Sequence, residues 1–382
     1  MLEFIDEELN TLKQSGLYRE LKTIEKVSGA RITINGKEYL NFCSNNYLGL
    51  ANHPKIIKKT IEIIKEFGFG ATASRLICGN TVIHELLEEK LANFKGREAA
   101  IVFPTGYMAN LGTITALVDE NDTVIIDRLN HASIINACRL SKAKLQVYPH
   151  LNMAALEKIL QKSGKYKKRL IVTDHVFSMD GDIAPLEQTA KLAKKYQAIT
   201  MIDDAHAVGM KIPDGIDIVM GTLSKALGSL GGFVCGSQDL IDYLRNKARS
   251  FIYTTALPIA ACGAAIAALE VIEEEPELIE KLRDNVRYFE NLRLNVAVSK
   301  EPRRSASGSL AIQSPIIPII IGDAAKTMEI AQKLFDQGML VSGIRPPTVP
   351  KGQSRLRITV SAIHNKEELE CLASLLPPPI PK

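Results

Sequence analysis

The run Ala198-Ile199-Thr200-Met201-Ile202-Asp203 is short, apolar and β-branched, and it leads into Asp204-Ala205-His206. A strand without polar alternation is buried on both faces, which points to the interior of a parallel sheet. Strands of the same texture recur on either side: Ala100-Ile-Val-Phe103, Val124-Ile-Ile-Asp127, Leu170-Ile-Val-Thr173, Asp217-Ile-Val-Met-Gly-Thr222 and Gly232-Phe-Val-Cys235. Helical periodicity fills intervals between them, at 54–67, 82–94, 134–140 and 186–196. This alternation predicts an α/β fold, a mostly parallel sheet flanked by helices. In such a sheet ligands gather beyond the carboxyl ends of the strands, so the polar residues there are the ones that matter.

Outside this core the texture changes. Residues 1–45 read as an N-terminal arm: an amphipathic helix at 7–21, broken at Gly16, then a hairpin turning at Asn35-Gly36. A long helical stretch at 259–292 precedes a strand (310–321), a helix (324–337), strands at 339–344 and 355–360, and a helix (366–376). The expected organisation is therefore an arm (1–45), a large domain (46–285) and a smaller C-terminal α/β domain (286–382). The proline-rich tail from Pro377 cannot continue a helix and is expected to fray.

The 382 residues carry 24% charged side chains and a net charge of +4, with no long Lys/Arg run. A dedicated nucleic-acid or membrane-surface binder is disfavoured on that ground. The six cysteines are scattered without a CxxC pair, so neither a disulfide framework nor a zinc site is expected. The acidic start lacks a signal-peptide pattern and no apolar run nears the length of a membrane span, which together predict a cytoplasmic enzyme.

Two strand ends carry chemistry. Nineteen residues beyond His206, Thr222-Leu-Ser-Lys225-Ala-Leu-Gly228 places a lysine among small residues after another buried strand. Alone, such a lysine is ordinarily a solvated loop residue, and Asp-Asp-Ala-His ordinarily a capped turn. Paired at strand ends of one sheet, they suggest pyridoxal 5′-phosphate (PLP). A partly desolvated lysine can form a Schiff base, and a carboxylate at a strand end can keep a pyridine nitrogen protonated. Thr105-Gly106-Tyr107, a strand–Gly–helix junction, fits as the phosphate cradle, although an ordinary βα turn has the same look. His131, in Asn130-His-Ala-Ser133, is either a helix cap or a flat ring for stacking on the pyridine. A G-x-x-x-x-G-K-[ST] loop is missing, so an ATPase reading lacks its main residues.

The set Asn45-Asn-Tyr-Leu-Gly-Leu50, His131-Ala-Ser, Phe177-Ser-Met-Asp-Gly-Asp182, Asp203-Asp-Ala-His206 and Thr222-Leu-Ser-Lys225, in this order, resembles the α-oxoamine synthase family of fold-type I PLP-dependent transferases. Gly343-Ile-Arg-Pro-Pro-Thr-Val-Pro350 and Ser354-Arg-Leu-Arg357 resemble its biotin-pathway branch, which condenses L-alanine with a pimeloyl thioester of CoA or a carrier protein. Glycine-using relatives commonly carry Tyr-Pro in place of Arg-Pro-Pro. The resemblance implies that Lys225 links to PLP and later acts as the base at Cα. It implies that Asp203 pairs with the pyridine nitrogen, that His206 meets the ring's 3-oxygen and that His131 stacks on its face. Thr105, Gly106, Tyr107, Thr222 and Ser178 would serve the cofactor, as would Thr254 and Thr255 reaching the phosphate in the partner of a homodimer. Arg357 would hold the amino-acid carboxylate, with Arg19, Asn45 and Thr348 on the substrate side.

The sequence departs from the family pattern in three places. Ala207 follows His206 where glycine is usual, the stretch from His206 to Lys225 is about ten residues short, and His175 stands where glycine is expected. The turn Ala71-Thr-Ala-Ser-Arg75 is also poorer in glycine than is typical of the family.

Overall fold

The computed structural model of the chain describes residues 2–296 and 314–377. The beginning of the strand expected at 310–321, and the tail beyond Pro377, lie outside the described residues. The chain forms two compact units. A central unit comprises Leu50–Ser178 and Asp182–Ile279; a terminal unit comprises the residues up to Gly49, Met179–Gly181 and those from Glu280 on.

The central unit holds seven strands: β1 (Ala99–Phe103), β2 (Thr123–Asp127), β3 (Lys144–Tyr148), β4 (Arg169–Asp174), β5 (Ile199–Asp203), β6 (Ile218–Thr222) and β7 (Gly232–Gly236). They lie in the order β1-β7-β6-β5-β4-β2-β3. Only β7 runs antiparallel to its neighbours; the remaining pairs are parallel, so the sheet is mostly parallel as expected. Alternate side chains enter opposite faces. Val124, Ile126, Leu170, Val172, Met201 and Met220 pack into one apolar layer, whereas Ile125 and Ile171 join Tyr148, Leu156 and Leu160 in the other. Both layers are fully enclosed, and each Ile, Leu or Val in them contributes roughly 1.5–3 kcal/mol by leaving water.

Strand β3 escapes the search for uniformly apolar runs because Lys144-Leu-Gln-Val-Tyr148 alternates and lies at the sheet edge, half exposed. The helices Met153–Lys162 and Gln238–Lys247 were likewise not anticipated. The stretch expected at 259–292 is two helices, Ile259–Glu274 and Glu277–Val296, parted at Pro276, which cannot continue the ladder of the first.

In the terminal unit the first helix is Glu3–Gln14 rather than 7–21, and it stops just before Gly16, whose φ is +67°. The hairpin turns where Asn35-Gly36 predicts, both residues having positive φ. Its second strand, Lys37–Asn41, pairs in parallel with Met339–Leu340, and Ile32, Ile34 and Tyr39 pack on Phe335 and Leu340. The arm is thus built into the same unit as the C-terminal residues, with junctions at Gly49 and Glu280 rather than at 45 and 285. The strand expected at 339–344 divides: Met339–Leu340 joins the arm, and Ser342–Ile344 pairs with Ser354–Thr359, itself beside Ile316–Gly322. No helix among the described residues is long and apolar enough to cross a membrane.

Candidate active site

The carboxyl ends of β4, β5 and β6 and the helix starts near them bring the central unit's candidates together. Asp203, the last residue of β5, is buried. Its Oδ2 accepts from Asn110 Nδ2 at 2.8 Å and its Oδ1 from the Ala205 backbone N–H at 3.1 Å. Fixed donors of this kind hold a carboxylate aimed. Asn110 has a second task, because the same amide nitrogen lies 2.9 Å from Ser133 Oγ. Ser133 Oγ is in turn 2.7 Å from His131 Nδ1, which also accepts the Ser133 backbone N–H. The serine hydroxyl, accepting a hydrogen bond from the amide, donates its own O–H to Nδ1, so the neutral ring carries its proton on Nε2.

Burial pushes the His131 pKa down, the Asp203 carboxylate opposes this and the Lys225 charge reinforces it; the net direction is downward. His131 therefore works as a flat neutral ring at pH 7. It is also the N-cap of the helix Ala132–Leu140, so it is a cap as well as a ring candidate. Its backbone N–H donates to Asp174 Oδ2 at 2.9 Å. Asp174 ends β4 opposite Asp203 in the sheet register. Burial, with the neighbouring Asp203 charge, holds the Asp174 carboxyl well above the usual carboxylate range.

Lys225 lies in the loop from β6 to β7, its Nζ 2.7 Å from His206 Nε2. The loop is tightly tied: Gly228 N–H donates to Lys225 O, Ser229 N–H to Leu223 O and Leu223 N–H to Gly231 O. Thr222 Oγ1 donates to Gly231 O at 2.9 Å and lies 2.7 Å from Ser224 Oγ.

On the proposed phosphate side, Thr105 caps the helix Gly106–Leu117, its hydroxyl accepting from Met108 N–H at 3.1 Å. A Cβ on Gly106 would stand 3.0 Å from Met220 Cε and 3.6 Å from Thr222 Oγ1, which brings Thr222 to the helix start. Tyr107 is partly exposed, and its hydroxyl accepts from Asn136 at 2.6 Å. Ser178 ends the first segment of the central unit, next to Phe177, whose N–H donates to Asp182 O. Thr254 and Thr255 follow the short helix Arg249–Ile252, and Thr255 is exposed.

The substrate-side candidates belong to the terminal unit. Arg357 is buried; its guanidinium donates to Asn45 Oδ1 at 3.1 Å and to Thr359 Oγ1 at 3.0 Å. Asn45 Oδ1 also accepts from the Tyr47 hydroxyl. Arg19 and Thr348 meet at 3.4 Å, so four residues chosen from scattered parts of the chain form two pairs.

Asn110, Ser133 and Asp174 were not singled out from the sequence. The one local signal was spacing: Asn110 is four residues after Gly106, one helical turn on, and Ser133 is two after His131. The central cluster has the donor set that PLP requires. It contains an amine beside an imidazole, a buried carboxylate with fixed donors, a neutral flat ring and a helix N-terminus without a Cβ in the way. Among the described residues no group of three His, Cys, Asp or Glu side chains could hold a metal ion.

The family model for aminotransferase class I and II matches residues 37–376. The chain is 47% identical over 383 aligned residues to 8-amino-7-oxononanoate synthase of Thermoanaerobacter pseudethanolicus, covering 97% of this chain and 94% of that one. It is 48% identical to the protein of the same name from Citrifermentans bemidjiense, covering 97% and 96%. Serine palmitoyltransferase from S. paucimobilis, solved with a PLP–myriocin adduct, superposes with a TM-score of 0.89 at 30% identity over 98% of this chain and 96% of that one. The chain therefore belongs to the aminotransferase class I and II family, in its α-oxoamine synthase branch of PLP-dependent acyltransferases.

Proposed function

We propose that the chain joins L-alanine to a pimeloyl thioester, carried by CoA or a carrier protein, releasing the thiol and CO2 and yielding 8-amino-7-oxononanoate for biotin biosynthesis. The observation that carries this reading is the Lys225–His206 pair at 2.7 Å in the unit where Asp203 is gripped by Asn110, in a chain nearly half identical to two proteins of that name.

PLP bound there supplies the electron sink that makes both the α-proton and the carboxylate of alanine removable. Lys225 would provide the amine that anchors the cofactor and the base that takes the α-proton of alanine. Asp203 keeps the ring nitrogen protonated, and its two donors hold it in place for that task. His206 holds the 3-oxygen side and orders the lysine. His131, neutral, covers the ring face. Thr105, Gly106, Tyr107 and Thr222 hold the phosphate, with Ser178 on the same cofactor side. Thr254 and Thr255 do the same for the second subunit of a homodimer. Arg357, held by Asn45, binds the alanine carboxylate, and Arg19 with Thr348 serves the acyl substrate. The atoms balance: the bond from alanine Cα to the acyl carbonyl replaces the Cα–H bond, the C–S bond breaks and the thiol departs with a proton, and the original carboxylate leaves as CO2, a proton taking its place at Cα.

The test is the visible spectrum of the purified protein before and after L-alanine, with Lys225→Ala alongside, followed by thiol release from pimeloyl-CoA. Thiol release with alanine and pimeloyl-CoA, and a cofactor that borohydride reduction no longer fixes covalently to Lys225→Ala, is the expected result. Turnover of glycine with acetyl-CoA and none with pimeloyl-CoA would assign the chain to the glycine-using relatives instead.

A further inference from the structure

The second carboxylate of Asp203-Asp204-Ala205-His206 has no part in the cofactor chemistry above, yet it is the most heavily held group nearby. Asp204 is buried. Its Oδ2 lies 2.6 Å from Lys95 Nζ and its Oδ1 lies 2.6 Å from His175 Nδ1. Both partners are themselves almost fully enclosed, with side-chain exposures of 14% and 4%. These three residues come from three element ends: Lys95 closes the helix Val82–Lys95, His175 follows β4 and Asp204 follows β5. Burial alone would raise the Asp204 pKa, but Lys95 and His175 outweigh it and hold it below its ordinary value. An ionised carboxylate can only accept, so Nδ1 of His175 carries the proton between them.

His175 does more than close this group. Its backbone N–H donates to Asp203 O at 2.8 Å, and its carbonyl accepts from Ala184 N–H at 2.9 Å. One residue thus grips the main chain of Asp203 and the side chain of Asp204. The turn is tied further by Asp204 N–H to Met220 O at 2.7 Å and by Ala207 N–H to Asp204 O at 3.3 Å. Asp203 and His206 flank the clamped residue, and His206 is the partner of Lys225. His175 is also the residue that departs from the family pattern by replacing glycine, so the hold on Asp204 comes from a side chain the pattern does not supply, whereas the main-chain bond to Asp203 is one that glycine would also make.

From this geometry we infer that Lys95 and His175 are positioning residues for the cofactor: through Asp204 they fix the 203–206 turn and thereby the placement of Asp203 and His206 against PLP. A salt-bridged clamp that only held the fold together would be indifferent to the cofactor. A positioning clamp changes how tightly PLP binds and how the bound cofactor titrates, since the titratable groups facing that site are Asp174, Asp203, His131, His206 and Lys225. The inference rests on the reading of Asp203 and His206 as cofactor residues.

The experiment titrates apoprotein with PLP by visible absorbance and follows the pH midpoint of the visible band. The proteins are the parent, His175→Gly, His175→Asn, Lys95→Met and Lys225→Ala. His175→Gly and Lys95→Met are expected to weaken PLP binding about tenfold or more and to move the midpoint by at least about half a pH unit. His175→Asn, whose amide still donates to Asp204, is expected to regain most of both. Should His175→Gly not fold, Lys95→Met against His175→Asn makes the same comparison. Lower melting temperatures of the apoproteins with unchanged PLP affinity and midpoint would overturn the inference and leave the clamp as a fold element. PLP still fixed covalently to Lys225→Ala by borohydride reduction would instead sink the assignment of the cofactor site itself.

Discussion

Asn110 is the residue on which the cofactor side of the site turns. Its one amide nitrogen bonds both Asp203 and Ser133, and through Ser133 it sets the tautomer of His131. Removing it leaves a buried carboxylate short of a donor, and a hydrogen bond to a charged group is worth about 1.5–3 kcal/mol. Asn110→Ala is therefore expected to weaken PLP retention roughly ten- to a hundredfold, measured by dialysis against PLP and absorbance. Unchanged retention would show that the Ala205 N–H alone suffices. Arg357 offers a second test, because its fork is already oriented by Asn45 and Thr359. An ammonium cannot keep those bonds and meet a carboxylate in two places. Arg357→Lys should raise the KM for alanine about tenfold or more while the visible band of bound PLP stays as in the parent. A shifted band with an unaltered KM would remove Arg357 from the substrate. Neither Asn110 nor Thr359 was visible as functional beforehand, since an asparagine inside an apolar helix and a threonine in a strand have many ordinary uses.

At the scale of elements, the β6–β7 loop shows how the lysine proposed to link PLP is held without being buried deeply. Its closing residue, Gly228, has φ +63°, and a Cβ there would fall 2.5 Å from the Ala51 backbone nitrogen. The left-handed backbone alone costs an L side chain roughly 1–2 kcal/mol, and the Ala51 contact is backbone, which cannot step aside. Gly228→Ala should lower unfolding free energy by about 2 kcal/mol or more in urea melts and disturb the Lys225 band. Parent-like stability would mean that the loop can relax around it. The glycine itself was legible as part of Thr222-Leu-Ser-Lys225-Ala-Leu-Gly228, because small residues around a lysine are a local pattern. Strand β3 was not legible, because an edge strand that is half in water alternates and so loses the apolar texture by which its neighbours are found. The helix break at Pro276 follows from local chemistry, whereas the division of 339–344 between two sheets follows only from what each half pairs with.

For the whole molecule, two histidines, His150 half-buried and His364 buried, set opposite pH limits. In the central unit His150 lies 2.9 Å from Asp127 and 3.3 Å from Asp182, edge-on to Phe177. Burial would lower its pKa, but the two carboxylates win and raise it to about 9. Its charged form is favoured by folding, so its contribution is full below its ordinary value of 6.5 and is lost as pH rises through about 9. In the terminal unit His364 stacks on Phe42, accepts the Ser361 N–H on Nδ1 and donates its one ring N–H, at Nε2, to Asn41 O. Burial, only partly opposed by that carbonyl, pulls its pKa down to about 4. Its neutral form is favoured by folding, so that contribution is full above 6.5 and is lost as pH falls through about 4. Melting temperatures across this range should fall on both sides of neutrality, with His150→Gln flattening the alkaline limb and His364→Gln the acid one. Limbs identical to the parent's in either variant would refute the corresponding assignment. By itself the sequence determined six of the seven strands of the central sheet, the order of the polar groups at their ends and the association of Lys225 with Asp203 and His206, because two-sided burial and strand-end chemistry are written locally. Tertiary structure alone decided that Asn110 reaches Asp203, 93 residues away, that Asp174 lies beside Asp203 in register, and that His175 and Lys95 close on Asp204. A hydrogen bond between distant residues leaves no trace in the composition around either of them; it exists only once the strands and helices carrying them have packed.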